Sequence, residues 1–203
     1  MSQGSEDEGQ PALRLPPLPP AEWSPTMQAA MQPLIPATPR PPGQPRGLNI
    51  LGTFAHHPDL AAAFWVFNGH ILNTSTLTPR QTELAILRVA LRRNSAYEWQ
   101  QHLYAARAGG IDDDEIVAIG DRDGSHRWSD ADDALLSAVD ELIDDGELSD
   151  DTWAALSSSM DTREVIDLIF TVGAYVTIAM LMGAAGIQLD DDLRRDARPF
   201  PPA

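Results

Sequence analysis

Cysteine and lysine are both missing from the 203 residues. Without cysteine, thiol peroxidase chemistry, disulfide exchange and thiolate metal sites are excluded, since each needs a sulfur nucleophile or ligand. The disulfide argument for secretion goes with them. Without lysine, Schiff-base catalysis and lysine-anchored pyridoxal phosphate are excluded as well. Positive charge is scarce overall: 14 basic residues face 30 acidic ones, for a net charge of -16. Such a surface repels phosphate backbones and anionic membranes, so neither nucleic acid nor a membrane is an expected partner. No stretch alternates with period two, which leaves no signal for strands. The leading "MSQGSEDEGQ" lacks the basic and apolar regions of a signal peptide, and the cytoplasm is the expected location.

Hydrophobic residues make up 43% of the chain, enough for one domain with an appendage. Residues 1–46 form the appendage and hold 12 of the 17 prolines. Proline lacks the donor that helix and sheet ladders need, so this stretch is expected to be neither helix nor central strand. It reads as a tail or, given Trp23, Met27, Met31, Leu34 and Ile35, as an arm wrapping a neighbouring subunit. Residues 47–190 carry helical periodicity, and 191–203 form a C-terminal tail. A first helix starts near Pro58, with His56 and His57 capping or hinging it. Thr78 and Pro79 open a second over 79–94. Ser95 opens a third over 96–108, closed by Gly109 and Gly110. Shorter helices follow near 112–120, 129–146 and 149–160. A last helix, 165–187, contains 20 uncharged residues in a row. That is long enough to span a bilayer, but alanine, glycine and threonine dilute its hydropathy. Its flanks give no positive-inside signal, so the centre of a helical domain or oligomer is the expected place. The fold class is all-α.

Three residues stand out chemically. Glu83 sits in the middle of an apolar arc formed by Leu84, Ile86, Leu87, Ala90 and Leu91, with Gln81, Arg88 and Arg92 on the opposite side. A carboxylate on a buried stripe is costly unless partnered. Its bland reading is a salt bridge to Arg80. On the next helix Glu98 and His102 lie four apart, within hydrogen-bond reach. They share a face with Ser95, Ala105 and Ala106, and Trp99 stands at its edge. A lone Glu-x-x-x-His is common on helices. It gains weight here because Glu83 faces the same interior, and two acids with one histidine suit proton transfer. Tyr97, Trp99, Ser95, His70 and Arg80 are the candidate pocket residues. A metal is the minor reading: a facial triad normally uses two histidines, and the di-iron motif spaces Glu and His by three.

The stretch "TPRQTELAILRVALRRNSAYEWQQHLYAARAGGIDDDEIVAI" resembles the core motif of the carboxymuconolactone decarboxylase family, which includes the alkylhydroperoxidase D branch. The resemblance covers residues 78–120 well and extends loosely to the last helix. The peroxidase branch carries a glutamate, a Cys-x-x-Cys and a histidine, which fall on Glu83, Ser95, Glu98 and His102; with both cysteines gone, its reaction does not carry over. The decarboxylase branch has glutamate at the second cysteine position, and Glu83, Glu98 and His102 match its spacing. The resemblance implies an alkylhydroperoxidase D-like all-α fold and a homo-oligomer, a trimer or hexamer. It also implies a cofactor-independent lyase acting on a small lactone or keto-acid-like substrate of aromatic catabolism. In that reading His102 is the general acid/base, Glu98 orients it, and Glu83 shuttles the proton or holds the geometry. An anionic substrate calls for a cation, from Arg80, Arg88 or a neighbouring subunit. The competing reading is a non-catalytic helical oligomer or small-ligand-binding protein whose site has drifted.

Overall fold

A computed structural model describes residues 12–35, 45–120, 126–194 and 197–201. The regular structure among them is helical throughout: α1 Pro25–Ala30, α2 Leu48–Phe54, α3 Pro58–Asn73, α4 Pro79–Arg92, α5 Ala96–Ala108, α6 Asp113–Gly120, α7 Asp130–Asp144, α8 Asp150–Ser159, α9 Thr162–Ala185 and α10 Asp191–Arg194. The starts follow local chemistry. The Thr78 hydroxyl accepts from the Gln81 amide and Gln81 returns a bond to the Thr78 amide, closing a capping box ahead of Pro79. Ser129 and Ser149 cap α7 and α8, and Asp161 with Glu164 closes a second capping box on α9. His57 accepts from the Leu60 amide and caps α3. Between α4 and α5 the chain turns through Asn94, in the left-handed region at φ 52°, where asparagine is tolerated better than most residues.

Helix α4 is the centre of the core. Leu84, Ala85, Ile86, Leu87, Val89 and Ala90 have no exposed surface, and α5, α7 and α9 all pack against the helix. The arginine face of α4 is covered as well, contrary to its expected place opposite the core. Arg80 bonds Asp132, Arg88 bonds Asp140 and Arg92 bonds Asp144. Each aspartate lies 52 residues after its arginine, and this constant offset means that α4 and α7 run in the same direction. Bidentate geometry at Arg88, with its Nε and Nη2 on the two Asp140 oxygens, fixes the register between the two helices.

The proline-rich stretch departs from expectation. It contains α1 and two 3-10 turns, Pro20–Glu22 and Gln32–Leu34. Proline stands at the start of each, where its missing N–H would have had no helical partner anyway. The described part of the stretch lies on its own chain. Met27 is fully buried, α1 packs on α3, and the Arg14 and Leu15 amides donate to the Ala185 carbonyl. Two glycines permit the close approach: a Cβ on Gly52 would stand 2.5 Å from the Leu18 carbonyl oxygen, and one on Gly69 2.8 Å from that of Pro33.

Helix α2 lies inside the 47–190 stretch but ahead of the first individually expected helix, and α10 lies in the stretch expected as a C-terminal tail. Helix α9 is long and apolar enough to cross a membrane by length and composition, and half of its most apolar stretch is buried inside the chain.

Candidate active site

Glu83 and His102 meet across the α4–α5 contact, with His102 Nδ1 2.9 Å from Glu83 Oε2. The Glu83 carboxylate accepts a hydrogen bond from Nδ1–H, so a neutral imidazole held this way carries its lone pair on Nε2. The His102 ring stands edge-on against Tyr175 of α9, with centroids 5.1 Å apart. The imidazole is thereby held from two sides, by a bond at one nitrogen and by an aromatic wall.

Glu98 behaves differently from its expected role. It is 0% exposed, and neither carboxyl oxygen has a hydrogen-bond partner among the described residues. It does not bond His102, although the two are one turn apart. The carboxylate that holds His102 is Glu83, from the adjacent helix. Burial pushes the Glu98 carboxyl well above the ordinary range, which favours the neutral acid. Burial likewise raises the Tyr175 phenol, and the nearby Glu83 and Glu98 add to the effect.

These groups line a cavity of about 180 Å³ bounded by α2, α3, α4, α5, α9, Leu34 and the segment 45–47. Its apolar wall includes Ile50, Leu51, Ile178 and Met182. Tyr97 borders it as expected. The Tyr97 hydroxyl donates to Asp190 at 2.6 Å and accepts from the Ile50 amide at 3.3 Å, which ties α5 to α2 and to the chain after α9. The other four pocket candidates lie elsewhere. Ser95 is buried and donates to the Met182 sulfur at 3.4 Å. Trp99 turns away and packs on Phe200. His70 bonds Asp167 at 2.8 Å, where Asp167 also accepts from Thr76 and anchors the α3–α4 loop to α9. Arg80 is engaged by Glu115 and Asp132, so it partners neither Glu83 nor a ligand in the cavity. Helix spacing places a residue on a face, but which neighbour covers that face is a tertiary fact.

Several lining residues are not among the pocket candidates from the sequence: Trp65 and Tyr175, which read as core, and Asn68, Gln101 and Arg46. Asn68, inside the apolar run "FWVFNGHIL", was the one legible signal among them. A more voluminous depression of about 460 Å³ lies along another side of α5, bordered by Gln100, Arg107, Asp192 and Arg198. None of Glu83, Glu98 and His102 reaches it, so the smaller cavity is the chemical one. Among the described residues no group of three His, Asp or Glu side chains is placed to hold a metal ion.

Comparison with known proteins agrees with the helical fold. No curated protein matches the sequence. Among solved structures, one from Agrobacterium tumefaciens is described as of unknown function and as a candidate antioxidant defence protein AhpD. It superposes with a TM-score of 0.61 at 20% identity, covering 68% of this chain and 94% of its own. The debrominase Bmp8 superposes with a TM-score of 0.65 in its apo form at 17% identity. A cysteine-to-alanine variant of it, bound to 2,3,4-tribromopyrrole, gives 0.68 at 16% identity. Both cover 89% of this chain and 94% of their own. The family model of the carboxymuconolactone decarboxylase family matches residues 58–141. That segment contains Glu83, Glu98 and His102, and the chain that carries it has the all-helical AhpD-like fold.

Proposed function

We propose that the protein is a cofactor-independent acid–base enzyme of the decarboxylase type, acting on a small oxygenated ring or keto acid. The observation that carries this reading is the Glu83–His102 pair beside an unpartnered, fully buried Glu98 in one cavity. In the reaction, the bond to the substrate carboxylate breaks and its electron pair stays on carbon, delocalised into the adjacent carbonyl as an enolate. Carbon dioxide leaves. The protonated His102 delivers a proton from Nε2 to that carbon, and a proton taken up from solvent recharges the imidazole, so the net change is one proton consumed per carbon dioxide released. Glu83 keeps the ring oriented and stabilises its charged form. Neutral Glu98 donates a hydrogen bond where negative charge develops on the substrate oxygen, which a carboxylate could not do. Arg80 and Arg88 are committed to Glu115, Asp132 and Asp140. Arg46, exposed on the cavity wall, is the cation placed to meet a carboxylate.

The 2,3,4-tribromopyrrole bound by the debrominase neighbour is a single ring, a size that suits this cavity as well. We also propose that the protein works as a homo-oligomer, a trimer or hexamer, through the apolar outer face of α9. The test of the activity is a screen of carboxylated lactones and β-keto acids with carbon dioxide release as the readout. Release that disappears in His102→Ala supports the enzyme. Release at equal rates with and without His102, or none across the panel, leaves a ligand-binding protein on the same fold.

A further inference from the structure

Among the described residues, five buried side-chain nitrogen or oxygen atoms have no hydrogen-bond partner: Trp65 Nε1, Asn68 Oδ1, Gln101 Oε1 and both oxygens of Glu98. All four residues line the same cavity. Leaving a buried polar atom unpaired forfeits its hydration with nothing in return, and folded proteins leave few of them so. Chance would scatter such atoms through the core. Here they converge on the one space beside His102, so what satisfies them is something that enters that space.

The atoms also say what it must be. Gln101 has its amide orientation fixed, because its Nε2 donates to the Pro45 carbonyl; its Oε1 is left as an acceptor. Trp65 offers an N–H and no acceptor. The Asn68 Oδ1 is a second acceptor. Trp65 and Asn68 lie three apart on α3, so they present neighbouring side chains to the cavity. A ligand complementary to this set brings at least one N–H or O–H and at least one acceptor oxygen. It carries no charge at its inner end, because that end meets Glu98 and apolar side chains, and the free arginine, Arg46, stands at the exposed side. Size narrows it further. An apolar cavity of ~150 Å³ takes a benzene-sized ring, and this one measures about 180 Å³.

We propose that Trp65, Asn68 and Gln101 are the specificity-determining residues of this cavity. Its ligand presents to them an uncharged single ring bearing an N–H or O–H donor next to a carbonyl- or ether-type acceptor. This deepens the acid–base reading and rests on it for treating the ligand as a substrate. The recognition itself is measurable by binding alone.

The test uses 2-pyrrolidone, a neutral ring with one N–H and one carbonyl, against N-methyl-2-pyrrolidone, which differs by loss of the donor. The full-length chain is labelled with ¹⁵N, and the Trp65 indole signal, assigned by its loss in Trp65→Phe, is followed during titration of each probe. The expected result is a saturable shift with 2-pyrrolidone bound about 10-fold more tightly than its methylated form, the scale of one hydrogen bond. In Asn68→Leu and in Gln101→Leu the preference shrinks towards one. Gln101 is only partly buried, so its variant keeps the test valid if Asn68→Leu fails to fold. Equal affinity of the wild type for both probes, or no saturable shift with either, overturns the inference and assigns the unpaired atoms to water. The acid–base reading fails separately. If the preference is present but His102→Ala matches the wild type in every turnover assay, recognition stands and catalysis falls.

Discussion

At the scale of single residues, the two glutamates of the site have opposite electrostatic situations. Glu83 is paired, and Glu98 is buried alone. Replacing Glu83 by Gln keeps the shape but removes the charge that holds the imidazolium; turnover should fall by roughly 10²–10⁴-fold, as should that of His102→Ala. The paired measurements are turnover and melting temperature on the same variants. A packing role for His102 predicts a stability loss of ~1–3 kcal/mol with no specific effect on rate. Glu98 predicts a pH effect. Burial raises its folded-state pKa above the unfolded value of about 4.3. Its neutral form therefore suits the fold fully below that pH, and stability is lost as pH rises from there through the folded-state value. Glu98→Gln removes this term. Melting curves from pH 4 to 9 should show the variant gaining on the wild type as pH rises, and parallel curves would show that Glu98 is not the buried acid described here. On the acid side the sign reverses. Asp167 is held down to about 2: burial pulls it up, and bonds from Thr76 and His70 outweigh that. Its contribution is present above about pH 4 and disappears as pH falls towards 2.

The elements are joined by contacts that can be broken one at a time. The Arg88–Asp140 bidentate pair holds α4 to α7, with Arg92 on the same carboxylate. Removing Asp140 as Ala leaves two guanidinium groups short of a partner inside that contact. The expected loss is roughly 1.5–3 kcal/mol, read from denaturant midpoints at constant slope. The Gln32–Leu34 turn rests on α3 because residue 69 has no side chain. Gly69→Ala should lift that turn, since the opposing atom is backbone and cannot rotate away, at about 1–3 kcal/mol. Leu34 lines the cavity, so hydrogen exchange in residues 25–35 and probe binding should change together. Unchanged exchange there would mean that the turn is not held in this way. The helices themselves were legible. Thr78-Pro79, Ser129 and the Gly109-Gly110 stop act through bonds to residues three or four away, which a sequence displays directly. Helix α1 was not, because the rule against proline in helices does not reach the first position, where Pro25 serves.

Across the whole molecule, the outer face of α9 is the open question of assembly. Ile166, Phe170 and Met180 are exposed along it, Phe170 at 55%, and Val66 of α3 is 65% exposed. The Phe67–Phe170 contact makes α3 and α9 neighbours at that surface. Exposed apolar side chains of this kind suit an interaction surface, and a second copy of the chain is the partner proposed. Sedimentation velocity at micromolar concentration should show an oligomer for the wild type and dissociation for Phe170→Glu. A stable wild-type monomer would remove the claim.

The sequence alone determined the helical class, most helix boundaries and the trio Glu83, Glu98 and His102, because periodicity, caps and i, i+4 spacing are short-range properties of a chain. It also determined, through the missing cysteines, that thiol peroxidase chemistry is closed to it. Only the tertiary structure decided who pairs with whom. Glu98 lost His102 to Glu83 because the approach of α4 to α5 sets that distance. Arg80 and His70 were taken by Asp132 and Asp167, far away in the chain but adjacent in space. Trp65, Asn68 and Gln101 came to line one cavity for the same physical reason: a cavity is made by surfaces from different helices, and no local pattern in any one of them records where the others will stand.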